Sequence, residues 1–423
     1  MRPPVSDFAR RLTEPTGINE LMEDLGQALE RAGPDTVMMG GGNPAHIPAV
    51  EAVWRRRIEE LLAEPGAMSV VLGDYDGPQG KRRFLETFAA YLRRTRGWKL
   101  GAENVAITAG SQTACFLLFN MLAGAAGTSR PRRLLLPLVP EYIGYADQVL
   151  RDGAFVACTP TIETRAAHRF KYHVDFDSLR LTDDVAAIVL SRPTNPSANV
   201  VTDVELRRLS ALARANDTLL VVDNAYGLPF PGIVFVDAEL PEWDEHCVFT
   251  FSLSKLGLPG TRTGIVVASA EIIRRLSAMN AVVGLANCSV GQVLTEPLFA
   301  SDAIDAISAE HIRPYYRERA RETLAVLDEV MGDDVDWAVH EPEGAFFLWL
   351  WFRGLAIDDR ELYRRLKARG VIAVPGSYFF YGLEQEWPHR RQCLRLSYGQ
   401  PKDRVRRGLE ILAEEVHRAS VLP

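Results

Sequence analysis

Between residues 105 and 270, short continuous apolar runs alternate with longer amphipathic stretches. The runs cover 105–108, 134–138, 186–190, 219–222, 248–251 and 264–268, and 203–216 is typical of the stretches that separate them. A strand with one wet face alternates apolar and polar residues, whereas unbroken apolar runs suit strands covered on both faces by helices. The pattern therefore predicts an α/β unit built on a mostly parallel sheet. Past residue 300 the rhythm changes. Long charged amphipathic stretches at 303–331, 359–369 and 404–419 surround two strand-like runs, 345–352 and 393–396, which predicts a smaller α+β domain. The first 49 residues supply one amphipathic helix, 18–31, and the loop Gly40-Gly41-Gly42-Asn43-Pro44. That is too little to bury a core alone, so 1–49 is expected to dock on the small C-terminal domain, 301–423, beside a large domain at 50–300.

Length agrees with more than one folding unit, since 423 residues exceed the ~100–200 of a usual domain. With 47% hydrophobic and 24% charged residues, the chain falls outside the disordered and fibrous classes. Its 48 Lys and Arg against 55 Asp and Glu leave a net charge of −7, without the positive field that a phosphate backbone requires, so no nucleic-acid partner is expected. The opening Met1-Arg2-Pro3-Pro4-Val5-Ser6-Asp7 has no apolar core of a secretory signal, and a cytoplasmic protein is expected. Two uncharged runs, 104–129 and 276–295, reach the length of a membrane span. Both are interrupted by Gly, Ser, Asn and Gln, and read as buried helices with no membrane partner. Five scattered cysteines without a Cys-x-x-Cys pair argue for reduced thiols, and against a disulfide framework or a thiolate metal site.

Candidate chemistry gathers at the ends of the apolar runs. In Ser252-Leu253-Ser254-Lys255-Leu256-Gly257-Leu258-Pro259-Gly260-Thr261-Arg262-Thr263-Gly264, a lysine follows a buried strand. Desolvation there lowers the amine pKa and favours the neutral nucleophile. Ser252, Ser254 and Arg262 are suited to a dianionic phosphate, with Gly260 and Gly264 permitting close approach of the backbone. The same residues also read as a Gly/Pro turn with a surface lysine. Asp223, ending 219–222 ahead of Tyr226, is suited to pairing with a protonated ring nitrogen, or to a helix N-cap. Asn195, in Arg192-Pro193-Thr194-Asn195-Pro196-Ser197, supplies a donor or an ordinary turn. Gly110-Ser111-Gln112 opens an apolar helix and offers free amides to an anion. Tyr142, after Pro140-Glu141, offers an aromatic face or plain core filling.

The joint order of these segments resembles the pyridoxal-phosphate enzymes of the aspartate-aminotransferase fold, the class I/II aminotransferases of fold type I. The resemblance runs from about Gly17 to the C-terminus, and Ser-x-Ser-Lys followed by Gly-x-Arg-x-Gly is its most specific element. It implies a large domain with a mostly parallel, seven-stranded sheet, a smaller α+β domain, and pyridoxal 5'-phosphate as cofactor. It further implies Lys255 as covalent anchor and proton shuttle, Asp223 on the pyridine nitrogen, and Tyr226 with Asn195 on the phenolic oxygen. Tyr142 stacks on the ring in this reading. Gly110, Ser111, Gln112, Ser252, Ser254 and Arg262 hold the phosphate, joined by Tyr75 from the partner subunit of a homodimer with a shared site. The resemblance likewise implies that Arg395, Gly42 and Asn195 meet the substrate, the first two at its α-carboxylate. Ile18, Leu21, Ile47 and Tyr142 are the expected walls of a compact apolar side-chain pocket. Two departures are visible: Arg262 comes seven residues after Lys255 where many members use eight, and Asn195-Pro196-Ser197-Ala198 replaces the usual Asn-Pro-Thr-Gly. The implied substrates are small amino acids and 2-oxo acids, namely valine and pyruvate, interconverted in two half-reactions. A C–S lyase or decarboxylase of the same fold would share every cofactor residue. A DNA-binding regulator built on this fold needs an N-terminal domain that the ~50 preceding residues do not supply.

Overall fold

The computed structural model describes residues 5–13, 17–31, 36–125 and 130–420; residues 1–4 of the opening segment and 126–129 of the first uncharged run lie outside it. In chain order its strands begin with β1 (Val37–Met38), β2 (Val105–Thr108), β3 (Arg133–Leu136), β4 (Phe155–Ala157), β5 (Thr161–Ala166), β6 (Arg169–His173) and β7 (Val185–Ser191). They continue with β8 (Leu219–Asp223), β9 (Cys247–Ser252), β10 (Gly264–Val267), β11 (Trp337–His340), β12 (Phe347–Phe352), β13 (Val371–Ile372), β14 (Val374–Pro375) and β15 (Cys393–Ser397).

Seven of these form the large sheet, in the order β2-β10-β9-β8-β7-β3-β4. All pairs from β9 to β4 are parallel, and only β10 runs against its neighbours. Because β2 and β9 both oppose β10, the carboxyl ends of β2, β9, β8, β7 and β3 share one edge of the sheet. Helices Ser111–Leu122, Asp203–Ala215 and Ala270–Gly284 pack against this sheet or its strands, which is why the strand interiors are apolar throughout. Phe84, Phe88, Phe230, Phe251 and Phe299 interlock at centroid distances of 5.0 to 6.0 Å, mostly edge to face. This geometry favours aromatic pairs beyond the area they bury.

The second sheet has the order β14-β15-β12-β11-β6-β5. Here the chain departs from its linear division. The hairpin β5–β6 lies within 50–300 but joins the C-terminal sheet through the parallel pair β6–β11. Its exposed strand β5 has one dry face at most, so it lacks the unbroken apolar run that marks the central strands. At the N-terminus, β1 pairs with β13, which ties 37–38 to the C-terminal part. Two helices, Asp7–Thr13 and Gly17–Arg31, precede it where the pattern predicts one.

The two uncharged runs are not single buried helices. The first is strand β2 and then helix Ser111–Leu122; the second spans two helices, broken after Gly284 where Leu285 takes a φ of +62°. No helix among the described residues is long and apolar enough to cross a membrane. The expected helix 303–331 is likewise broken: a π-helical turn, Ile307–Ile312, precedes Arg313–Met331. Pro314 has no amide to donate back into the preceding turn, so the α ladder cannot run through it unchanged.

Candidate active site

A cavity of about 650 Å³ opens over the carboxyl edge of the large sheet, and Lys255, Asp223, Arg395, Arg262, Asn195 and Tyr142 all line it. Lys255 follows β9 in a short 3-10 turn, Ser254–Leu256, ended by Gly257 at φ +88°. Trp54 fixes that turn by donating its indole N–H to the Leu256 carbonyl at 2.9 Å. The ammonium Nζ donates to the Gly42 carbonyl at 2.5 Å and lies 5.3 Å from the centre of the Tyr226 ring and 5.5 Å from that of Phe346. Burial, and then the positive charges of Arg395 and Arg262, lower its pKa to about 8.

Asp223 ends β8 at the cavity floor. Its carboxylate accepts from the hydroxyl of Tyr145, from Thr250 Oγ1 at 2.9 Å and from the Ala225 amide at 3.1 Å. Burial raises its pKa even so, because none of these donors carries a positive charge. Beyond β3, two strands over, Glu141 is buried as well. It accepts from the amides of Tyr142 at 2.7 Å and Ser191 at 2.8 Å, and burial pushes its pKa to about 8. This ties the loop bearing Tyr142 to the end of β7.

Arg395 projects from β15 of the small sheet. Nη1 donates to Asn195 Oδ1 at 2.8 Å and Nη2 to the Gly40 carbonyl at 2.6 Å, and its plane sits over Phe347, 4.6 Å from the ring centre. Its buried Nε has no hydrogen-bond partner among the described residues, and burial lowers the guanidinium pKa to about 10. At the opposite end of the cavity, Arg262 donates to the Ala109 carbonyl at 3.3 Å. The start of helix Ser111–Leu122 lies beside it, with Ser252 and Ser254 also lining the cavity. A Cβ on Gly110 would stand 2.3 Å from Arg262 Nη2, and one on Gly264 would stand 2.5 Å from the backbone of Gly110 and Ser111. Gly260 instead faces open space, so of the two glycines expected to admit close backbone approach only Gly264 does so.

Gly42, Ser111, Gln112, Tyr226, Ile18 and Leu21 join this cavity. Gly110 borders it through Arg262. Two expected residues stand elsewhere. Tyr75 is 85% exposed on the surface, and Ile47 lines a neighbouring cavity of about 200 Å³ that meets the first at Asn43 and Lys255. The structure adds residues that the sequence reading passed over: Tyr145 and Thr250 on Asp223, the Gly40 carbonyl on Arg395, and Glu141 behind Tyr142. Tyr145 had a sequence signal, the second tyrosine of Tyr142-Ile143-Gly144-Tyr145. Thr250 had one too, an unpaired polar residue inside an apolar strand.

Proteins similar to this chain in sequence and fold are known. Valine–pyruvate aminotransferase of Escherichia coli K12 is 44% identical over 97% of this chain and 98% of its own. A putative amino-acid aminotransferase from Psychrobacter arcticum superposes with a TM-score of 0.95 at 40% identity, covering 99% of both chains. Valine–pyruvate aminotransferase from Salmonella typhimurium LT2 gives 0.87 at 44% identity over 95% of this chain and 99% of its own. The family model for aminotransferase class I and II matches residues 45–412, a span that runs from just after the Gly42 loop through every strand end lining the cavity into the last helix. Matched over that span and by full-length relatives alike, the chain belongs to the class I and II aminotransferase family.

Proposed function

We propose that this aminotransferase moves the amino group between valine and pyruvate, giving 3-methyl-2-oxobutanoate and alanine, in the cytoplasm and with pyridoxal 5'-phosphate as cofactor. The observation that carries the reading is the meeting of Lys255, Asp223 and Arg395 in one cavity. The family depends on pyridoxal phosphate in general, and the residues present fit that group. Arg262, Ser252, Ser254 and the amides at the start of helix Ser111–Leu122 offer a phosphate-sized set of donors, and the contacts at Gly110 and Gly264 leave no room there for a side chain. Asp223 is a buried carboxylate with three neutral donors, and a protonated ring nitrogen would supply the cation that it lacks. In this reading Tyr226 and Asn195, which line the cavity, would meet the phenolic oxygen, and Tyr142, lining it too, would meet the ring face.

When bound, the cofactor supplies a sink for the electron pair left at the substrate α-carbon as the proton departs. The chain's own residues do the rest. Lys255 Nζ, neutral in much of the population near pH 8, takes that proton and returns it. Arg395, whose Nε has no partner among the described residues, orients the α-carboxylate beside the Gly42 loop. Tyr145, Thr250 and the Ala225 amide hold the Asp223 carboxylate in place, where it would pair with a protonated ring nitrogen.

The substrate side chain faces Ile18, Leu21, Met22, Met38 and Ile143. The only guanidinium groups lining the cavity among the described residues are Arg262 and Arg395, so this chain offers its own cavity none for a second carboxylate. Side-by-side kcat/KM values for valine, alanine, 2-aminobutyrate, leucine, aspartate and glutamate test this. Valine and alanine should exceed both acids, with modest steps among the aliphatics because one methylene is worth only ~1–3 kcal/mol. A preference for aspartate or glutamate over valine would sink the reading, and free ammonia in place of alanine would favour elimination. The reading also includes a homodimer in which the exposed Tyr75 completes the partner's phosphate site.

A further inference from the structure

Lys171 and Glu343 form a buried ion pair that the chemistry of the cavity does not use. Lys171 is 1% and Glu343 3% exposed. Burying two charges costs desolvation that their attraction rarely outweighs, so such a pair is weak evidence for stability and invites another explanation. Both members belong to the small sheet: Lys171 lies on β6 and Glu343 in the loop between β11 and β12. What they hold belongs to the large domain. Lys171 Nζ donates to Asn199 Oδ1 at 2.8 Å and to the Val200 carbonyl at 2.9 Å, and Glu343 Oε2 accepts from the Val200 amide at 3.0 Å. Arg165 of β5 donates to the other Glu343 oxygen at 3.2 Å.

The segment so held carries Asn195. The Thr194 amide donates to the Asn199 carbonyl, and the Ala198 amide to the Thr194 carbonyl, each at 2.8 Å, which closes the turn. Within it Ala198 has a φ of +62°. A residue with a Cβ is strained there and persists only where its surroundings over-determine it. Asn195 accepts from Arg395, and Arg395 stands on β15 of the same small sheet that bears Lys171. The ion pair and the Asn195–Arg395 contact are thus two ties between one turn and one sheet.

We propose that Lys171 and Glu343 are positioning residues, which pin the 194–200 turn to the small sheet, hold Ala198 in its strained conformation and thereby fix Asn195 against Arg395 so that the guanidinium is set for a substrate carboxylate. This rests on the assignment of that carboxylate to Arg395. The test variant is Lys171→Met combined with Glu343→Gln, which removes both charges together and keeps an acceptor for the Val200 amide. Asn199→Ala is the second variant, cutting one grip on the turn with the ion pair intact. Binding of isovalerate, the valine skeleton without its amino group, is measured by calorimetry on the cofactor-free protein, alongside steady-state kinetics of the loaded enzyme. The double variant should bind isovalerate about tenfold more weakly, with KM for amino donor and oxo acid both raised about as much and kcat within about threefold. Asn199→Ala should shift the same quantities in the same direction by less. Unchanged isovalerate affinity and KM values in the double variant, or in Asn199→Ala should the double variant not fold, overturn the proposal whatever the melting temperature does. A wild-type chain that binds isovalerate yet turns over neither valine nor pyruvate would overturn the proposed function and leave the positioning role standing.

Discussion

Lys255 stands where an ammonium ion is poorly accommodated: burial and two arginines disfavour the charge, and the amine titrates near 8 instead of its ordinary 10.5. The sign of the effect on stability follows from linkage. Below pH 8 the amine is protonated in both the folded and the unfolded chain, and the folded state bears the full cost of the buried charge. Above 10.5 it is neutral in both, and the cost is gone. Lys255→Met in the cofactor-free protein should therefore raise the melting temperature most below pH 8, with the gain fading between 8 and 10.5. Thermal melts across that range check it, and a gain that does not vary with pH would contradict the desolvated amine. The same lysine shows what one position discloses in sequence. Its place after an apolar strand was legible, and so was its depressed pKa. The Gly42 carbonyl that accepts its hydrogen bond lies 213 residues away and was not.

At the scale of elements, the central strands were legible because each is covered on both faces, so its run of apolar residues ends where the cover ends. The expected 105–108, 219–222 and 248–251 sit within one residue of the observed bounds at either end. The hairpin β5–β6 escaped notice for the complementary reason. It is a sheet margin whose exposed strand, Thr161–Ala166, has the polar composition of a loop. Glycines divide in the same way, since sequence marks a Gly without saying which neighbour it admits. The contact beside Gly264 is backbone, which cannot rotate away. Gly264→Ala is thus expected to cost about 1–3 kcal/mol and to weaken cofactor binding, because it pushes β10 off the turn that starts the anion site. Gly260→Ala, into open space and without a left-handed φ, should stay within about 0.5 kcal/mol. Chemical denaturation with a cofactor titration on both variants decides the matter. Equal losses would mean that the site does not depend on the close approach of β10.

The whole molecule is the scale at which sequence tells least, because it concerns which surfaces meet. Tyr75 extends from a loop that is itself well anchored: Asn280 and Asn287 both donate to the Pro78 carbonyl, at 2.9 and 3.1 Å, and Lys81 pairs with Asp76 at 2.9 Å. These bonds bring the loop to the end of helix Ala270–Gly284, where Val282 is 89% exposed, with Val283 and Leu285 exposed beside it. Under the proposed homodimer, a second copy of this chain would cover these exposed aliphatic residues while Tyr75 enters the partner's cavity. Mixed dimers distinguish this from a contact within one chain. Pairing a Tyr75→Phe subunit with a Lys255→Ala subunit leaves one cavity with an intact lysine and, under the shared arrangement, an intact tyrosine from across the interface. Such heterodimers should recover about half of wild-type activity, since one of two sites is whole, while Lys255→Ala homodimers show none and Tyr75→Phe homodimers remain impaired. Activity in verified heterodimers no higher than half that of the Tyr75→Phe homodimer would place the tyrosine and the lysine of each site on the same chain, and the shared site would be wrong.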